Sequence, residues 1–285
     1  MSMNAYARAF RVSLLTLAML MAGGQAHAAP VAMITDLEGR ATIGGGRPLA
    51  LLDEVVAGTV ISLEDASSLV LVYYASGIEY RFEGPASLDV AESAPAATSG
   101  AAPAVRRLLG DGEKATRISP AGKVQASVLM RGDALETELV LISPSSKVLE
   151  TRPRFCWEPV SGAARYRFEL IDEDLETVAQ ATPLEPCFEL PDELHLEPGA
   201  VYTWEVETRL PGAVRVSEWA AFSVASAEEQ SLVRTLRPPP DAPFSERLVF
   251  AVWLQQNGFQ DEARHQWQGL QEERGDLELP GWAAR

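Results

Sequence analysis

Pro153-Arg154-Phe155-Cys156-Trp157-Glu158-Pro159 and Ala164-Arg165-Tyr166-Arg167-Phe168-Glu169-Leu170 are the stretches that decide the fold. In the second, Tyr166, Phe168 and Leu170 share one face, with Arg167 and Glu169 on the other. In the first, Phe155 and Trp157 point one way and Cys156 the other. This period of two is that of a strand buried on one side. Working outward, the same signal recurs between turn residues. Upstream, Glu138 to Ile142 ends at Ser143-Pro144. Downstream come Thr177 to Ala181, Cys187 to Leu190, Val201 to Glu207 after the Pro198-Gly199 turn, and Trp219 to Val224. Seven short strands over residues 138–226 predict an immunoglobulin-like β-sandwich.

The pattern resembles a fibronectin type III domain. Trp157 stands where such domains carry a core Trp on the second strand. Tyr202, after Leu196-Glu197-Pro198-Gly199, stands where they carry a tyrosine corner. The tripeptide Arg131-Gly132-Asp133 precedes the domain and reads as a loop coincidence. Cys156 and Cys187 are the chain's two cysteines. In an oxidising compartment two cysteines usually pair; the alternative is two half-buried thiols. The resemblance implies that the second and fifth strands are neighbours, with both cysteines facing outward. Facing Cβ atoms on adjacent strands lie about 5 Å apart, against about 3.8 Å in a disulfide, so the bond is feasible with local adjustment.

Residues 31–90 also read as short strands: Val31 to Ile34, Arg40 to Ile43, Pro48 to Leu51, Val60 to Leu63, Leu69 to Tyr73, Ile78 to Phe82 and Ser87 to Val90. Leu69 to Tyr74 is apolar at both parities, which predicts cover on both faces. Gly39, Leu51-Leu52-Asp53, Gly58-Thr59-Val60-Ile61, Gly77 and Gly84-Pro85 together resemble the FecR-type domain. Ser76-Gly77 replaces the family's usual Asp-Gly turn, which marks a divergent branch. The resemblance implies a small β domain, here residues 29–137, with a role in envelope signalling or assembly. Full FecR regulators carry a cytoplasmic segment and a membrane span, and neither is visible here. Within this region, residues 91–104 are rich in Ala, Ser, Pro, Thr and Gly and read as a flexible loop. Ala104 to Leu109 reads as a short helix. Lys114 to Asp133 gives weak strand signals, clearest over Val124 to Met130.

The N-terminus predicts export. Arg8 and Arg11 precede the apolar run Val12 to Ala22, and Ala26-His27-Ala28 supplies the small residues before a cleavage site. The run is shorter than the roughly 20 residues that span a bilayer. A signal peptide over 1–28 implies a periplasmic protein without stable membrane insertion. The formal charge of −16 becomes −18 once Arg8 and Arg11 are removed. That balance excludes phosphate-backbone binding, which needs clustered Lys and Arg, so nucleic acid is not a partner.

Beyond the stiff spacer Arg237-Pro238-Pro239-Pro240-Asp241-Ala242-Pro243, residues 244–274 predict a helical hairpin. Ser245 is the expected N-cap. Leu248, Val249, Val252 and Trp253 follow helical spacing, and Asn257-Gly258 ends the helix. Phe259, Ala263, Trp267 and Leu270 mark the second helix. Gly258 to Leu270 resembles the inner part of a tetratricopeptide unit, in which a small Ala lets helices approach and an aromatic fills the groove. One such unit cannot bury its faces alone. It must dock on the sandwich, on another copy, or on a partner, and Trp253, Phe259 and Trp267 are the candidate docking residues.

No catalytic, cofactor or metal site is visible. His195 and His265, with two Cys, do not make a four-ligand zinc pattern. Asp172-Glu173-Asp174 reads as a solvated hairpin, lacking the Gly and spaced ligands of a calcium loop. Gly44-Gly45-Gly46 is followed by Pro48 and a strand, not by the helix and Lys of a phosphate loop. There is no Gly-x-Ser-x-Gly elbow. The expectation is a mainly β, non-enzymatic interaction or scaffold protein whose partner is an envelope protein. The competing reading is a peptidoglycan- or glycan-binding module, which needs exposed aromatics on a sheet face. Burial of Tyr166, Trp204 and Trp157, with no aromatic platform elsewhere, removes its support.

Overall fold

The computed structural model describes residues 28–44, 46–108, 139–212, 215–281 and 283. The stretch read as the core of a signal peptide, the strand signals of Lys114 to Asp133, the Arg131-Gly132-Asp133 tripeptide and Trp282 lie outside the described residues.

The chain is mainly β, with helices at the C-terminal end. The first unit holds β1 (Pro30–Glu38), β2 (Ala41–Ile43), β3 (Arg47–Pro48), β4 (Glu54–Val56), β5 (Thr59–Leu63), β6 (Ser68–Tyr73), β7 (Ile78–Glu83), β8 (Ala86–Val90), β9 (Pro95–Ser99) and β10 (Ala104–Arg107). They form two five-stranded sheets, β10-β7-β6-β1-β4 and β3-β2-β5-β8-β9. Ala32, Ile34, Ile61, Leu69, Leu71, Tyr73, Phe82 and Leu88 fill the space between them. Two expectations are corrected here. The Ala-, Ser- and Pro-rich stretch contains β9, an exposed edge strand paired with β8. Ala104–Arg107 is the edge strand β10 on β7, not a helix. Both gain their hydrogen bonds from a neighbour, which local composition does not reveal.

Two glycines of this first unit are required by the backbone. Gly39 has φ +74°, and a Cβ there would lie 2.5 Å from Ser67 Oγ. That hydroxyl accepts the Arg40 N–H at 2.9 Å. At Gly84 a Cβ would meet the Glu64 carbonyl at 2.0 Å.

The second unit holds β11 (Leu141–Ser143), β12 (Lys147–Val148), β13 (Arg154–Trp157), β14 (Tyr166–Asp172), β15 (Thr177–Ala181), β16 (Cys187–Glu189), β17 (Val201–Arg209) and β18 (Arg215–Val224). Sheet β11-β13-β16 faces sheet β12-β18-β17-β14-β15, a β-sandwich. Its core is aromatic. Phe155 lies 4.9 Å from Phe168 and 5.3 Å from Trp204, edge to face, and Trp157 lies 5.1 Å from Tyr166. Such contacts add to burial because ring edges and faces carry opposite partial charge. The Tyr202 hydroxyl accepts the Glu197 N–H at 2.9 Å, making the expected corner. Cys156 and Cys187 sit opposite each other on β13 and β16 and are bonded, with Cα atoms 4.2 Å apart.

Three helices follow: α1 (Ala227–Leu236), α2 (Phe244–Gln256) and α3 (Gln260–Glu273). The sequence reading missed α1. Its capping box is complete: Ser226 Oγ accepts the Glu229 N–H, and the Glu229 carboxylate accepts the Ser226 N–H. The spacing Ser226-x-x-Glu229 was the available signal. Ser245 is not an N-cap, because Pro243 takes that position and Ser245 is buried in the first turn of α2.

Candidate interaction surfaces

The helices form a third core with residues from both β units. Met33, Val72, Tyr74 and Leu108 of the first unit, and Ala225 at the end of the sandwich, are buried with Leu248, Phe250, Trp253, Phe259, Trp267 and Leu270. Residues Ala32 and Ile34 face the inter-sheet core while Met33 faces the helices, and Leu71 and Val72 divide in the same way. The double-sided apolar pattern of Leu69 to Tyr74 therefore records a third layer on this sheet. The expectation that Trp253, Phe259 and Trp267 form a docking face for a partner is corrected. They are 4%, 1% and 2% exposed. Trp253 stacks between Phe250 and Phe259, at 6.4 and 6.2 Å. The helix pair meets its need for a neighbour within the chain.

Polar contacts stitch the same joint. Glu79 on β7 is 4% exposed. It accepts from Arg106 Nε and Nη2 at 3.2 and 3.1 Å and from the Ser245 hydroxyl at 2.6 Å. Arg106 Nη1 reaches Glu246 Oε2 at 3.0 Å. Burial alone would lower the Arg106 pKa, but Glu79 and Glu246 outweigh it and raise it. On β1, Asp36 accepts from Arg274 at 2.8 Å. The sandwich is tied in by Ser145, whose N–H and hydroxyl both donate to Asp261, and by Lys147, which pairs with Glu229. A shallow cleft of about 310 Å³ opens at Glu79, Arg81, Ala104, Val105, Arg106 and Pro243. Its carboxylate is already engaged by Arg106 and Ser245.

The outer face of the sandwich is the opposite case. Glu207 is only 8% exposed, although it alternates with core-facing residues, because guanidinium groups crowd over it. Arg215 lies 2.9 Å away, Arg209 3.7 Å and Arg167 3.9 Å. Arg167 also pairs with Glu169 at 3.1 Å, and Arg215 with Glu205 at 3.8 Å. Beside this network stands Trp219, 61% exposed. It is directly opposite Glu205 across β17 and β18. Among the described residues it is the one exposed aromatic side chain. Tyr166, Trp204 and Trp157 are buried, so the expected row of aromatics is not present there.

His195 is exposed and pairs with Thr151, and His265 is exposed on α3. Asp172 Oδ1 accepts the N–H groups of Asp174 and Glu176, which folds the acidic triplet into a hairpin turn. Gly44 and Gly46 have positive φ and flank a turn. Among the described residues no group of three or more His, Cys, Asp or Glu is placed to share a metal ion, and no helix is long and apolar enough to cross a membrane.

No family model matches the chain, and no curated protein does. Solved structures do match. CopC from Methylosinus trichosporium OB3b is 14% identical, with a TM-score of 0.25, over 32% of this chain and 96% of that one. The fn3 domain of the human collagen alpha-1(XX) chain is 16% identical, with a TM-score of 0.26, over 41% of this chain and 96% of that one. A beta-1,2-glucanase from Parabacteroides distasonis is 12% identical, with a TM-score of 0.24, over 73% of this chain and 39% of that one. At these values the similarities carry no argument about this chain.

Proposed function

We propose that this chain is a non-enzymatic, exported scaffold of the cell envelope that holds two β modules together and presents them to protein partners. The observation that carries the reading is the third core, in which the helices pack against the first β unit and the end of the sandwich at once. A chain whose helices serve as an internal joint offers its partners the loops and sheet faces that remain outside. The engaged state of Glu79 supports a structural use of the cleft at Glu79, Arg81 and Arg106 on the first unit. The FecR-type pattern of residues 31–90 supplies the setting, signalling or assembly in the envelope. Arg8, Arg11, the run Val12 to Ala22 and Ala26-His27-Ala28 support export, and the Cys156–Cys187 bond agrees with an oxidising compartment.

Photo-crosslinking residues placed at the exposed positions Val105, Leu175 and Leu184 test this in intact cells. The expected result is a discrete adduct with an envelope protein at one or two of these positions and none at the others. Retention of the chain in the cytoplasm, or no adduct from any position, overturns the proposal.

A further inference from the structure

We infer that the open edge of the sandwich at β15 receives an extended, cationic segment of a protein partner as an added strand, with Leu175 and Leu184 as the apolar contacts at its ends. It rests on the scaffold role proposed above, and gives that role a surface and a class of partner. β15 is the last strand of its sheet, paired with β14 on one side and with no strand on the other among the described residues. The Tyr166 N–H donates to the Pro183 carbonyl at 2.9 Å, and Phe168 and Leu170 stand opposite Ala181 and Ala179. Backbone direction alternates along an antiparallel strand, so Ala179 and Ala181 turn their N–H and C=O toward β14 while Gln180 and Thr182 turn theirs outward. Such a row is a template for a further strand. Charge and proline blunt other edges: β10 carries Arg106 and Arg107, and β3 is Arg47 and Pro48. Thr177–Ala181 has neither. The other five-residue edge without a charge, β9, offers a partner only Pro, Ala, Thr and Ser.

The leucines bracket this edge, Leu175 just before Thr177 and Leu184 just after Thr182 and Pro183. They are 77% and 75% exposed, the two most exposed large apolar side chains among the described residues. Leu175 also has φ +63°. In that left-handed region a leucine is strained, whereas glycine is at ease. A leucine held in strain and left in water does not serve the fold, which directs its use to a contact outside the chain.

Charge selects the segment. Residues 168–208 carry twelve Asp and Glu and no Lys or Arg. Glu173, Asp174, Glu176 and Glu185 flank the two leucines, are exposed, and have no ion-pair partner among the described residues. Among those residues no three such groups are placed to share a metal ion. A second copy of this edge brings the same carboxylates and is repelled. A segment with Lys or Arg beside apolar residues answers all three features. Its cations meet the carboxylates, its apolar side chains cover the leucines, and its backbone pairs with Gln180 and Thr182. A strand of about ten residues matches residues 175–184 in length.

Fluorescence anisotropy tests this with the purified protein and a labelled ten-residue peptide alternating Lys and Val, at about 0.15 M salt, where loose surface attraction is screened. Saturable binding is expected, with the Gln180 and Thr182 amides gaining protection in hydrogen exchange. A Lys–Gly peptide of equal charge, and the Lys–Val peptide N-methylated throughout, should bind at least tenfold more weakly. The double variant Leu175→Gly, Leu184→Ser should also bind at least tenfold more weakly, at a urea midpoint equal to or above the parent's. No saturable binding, equal binding by either control peptide, unchanged affinity in the double variant, or protection confined to other strands overturns the inference. In cells, a crosslinked adduct at Val105 with none at Leu175 or Leu184 sinks this surface and leaves the scaffold role standing.

Discussion

The two large sheets differ in what lies outside them. Sheet β10-β7-β6-β1-β4 carries helices on its outer face, and sheet β12-β18-β17-β14-β15 carries solvent. The difference is written in parity. Ser68–Tyr73 is buried at every position, while Arg215–Val224 alternates along most of its length. A strand apolar on both faces announces a third layer even when that layer comes from far along the chain. Here the layer is about the helices that begin at residue 227. Tryptophans follow the same division. Trp253 and Trp267 fill the joint, and Trp219 stands in water.

Removing the third layer's anchor is the strongest way to break the comparison. Trp267→Ala should destabilise the protein by about 3–5 kcal/mol in urea unfolding, the cost of emptying a large buried site. Trp267→Phe should cost much less. It keeps most of the ring, and the Trp267 Nε1 hydrogen is buried without a partner among the described residues. An alanine variant as stable as the parent would show that the joint is not a core. Next in size is the disulfide, which acts on the sandwich alone. Its sequence separation of 31 gives an expected loss of about 3–4 kcal/mol from the chain-entropy relation. That loss should appear when Cys156 and Cys187 are both replaced by Ala, with hydrogen exchange rising in β13 and β16 and unchanged in β1 and β6.

A smaller effect sharpens the polar side of the joint. Glu79→Gln keeps the shape but leaves Arg106 with a neutral acceptor. Because Arg106 is partly exposed, the expected loss is about 1–3 kcal/mol, below that of a fully buried pair. Ser245→Ala removes one hydrogen bond to the same carboxylate and should cost about 1 kcal/mol. A Glu79→Gln variant that unfolds at the parent's urea midpoint would mean that these contacts merely coexist with the apolar joint.

Most of the β architecture was legible because burial on one face imposes a period of two. Thr177–Ala181 matches its reading at both ends, and Phe155, Trp157, Tyr166 and Phe168 all face the sandwich core as their alternation required. The tyrosine corner was legible because Tyr202 has a local partner. What failed was whatever depends on a distant neighbour. β9 and β10 are edge strands of exposed residues, held by backbone pairing that carries no hydrophobic signal. Trp253, Phe259 and Trp267 showed an apolar helical face, but periodicity cannot name what covers it. Trp219 was visible as an aromatic at the start of a strand. Its side of the sheet follows from its parity against the buried Phe222 and Val224, which puts it on the outer face.

The smallest predicted effect concerns the tie between the sandwich and α1. Burial works against the charged form of Glu229, but hydrogen bonds from Lys147 and from the capping Ser226 outweigh it and hold the carboxyl below its ordinary value. Because the folded-state pKa is the lower one, the stabilisation is present above the unfolded value of about 4.3. It is lost as pH falls through the depressed folded value. The side chain is 38% exposed, so solvent screening keeps the contribution under about 1 kcal/mol. Lys147→Met removes the charge, and with it the ammonium that lies 5.2 Å from the centre of the Phe259 ring. Urea midpoints measured from pH 7 down to pH 3 should show the parent losing slightly more stability than Lys147→Met across the acid limb. The gap between the two curves should narrow as the pH falls and Glu229 takes up a proton. Parallel curves would mean that this ion pair adds nothing to stability, and that the sandwich is held to the helices by packing, by the Lys147 ammonium over the Phe259 ring and by Ser145 and Asp261.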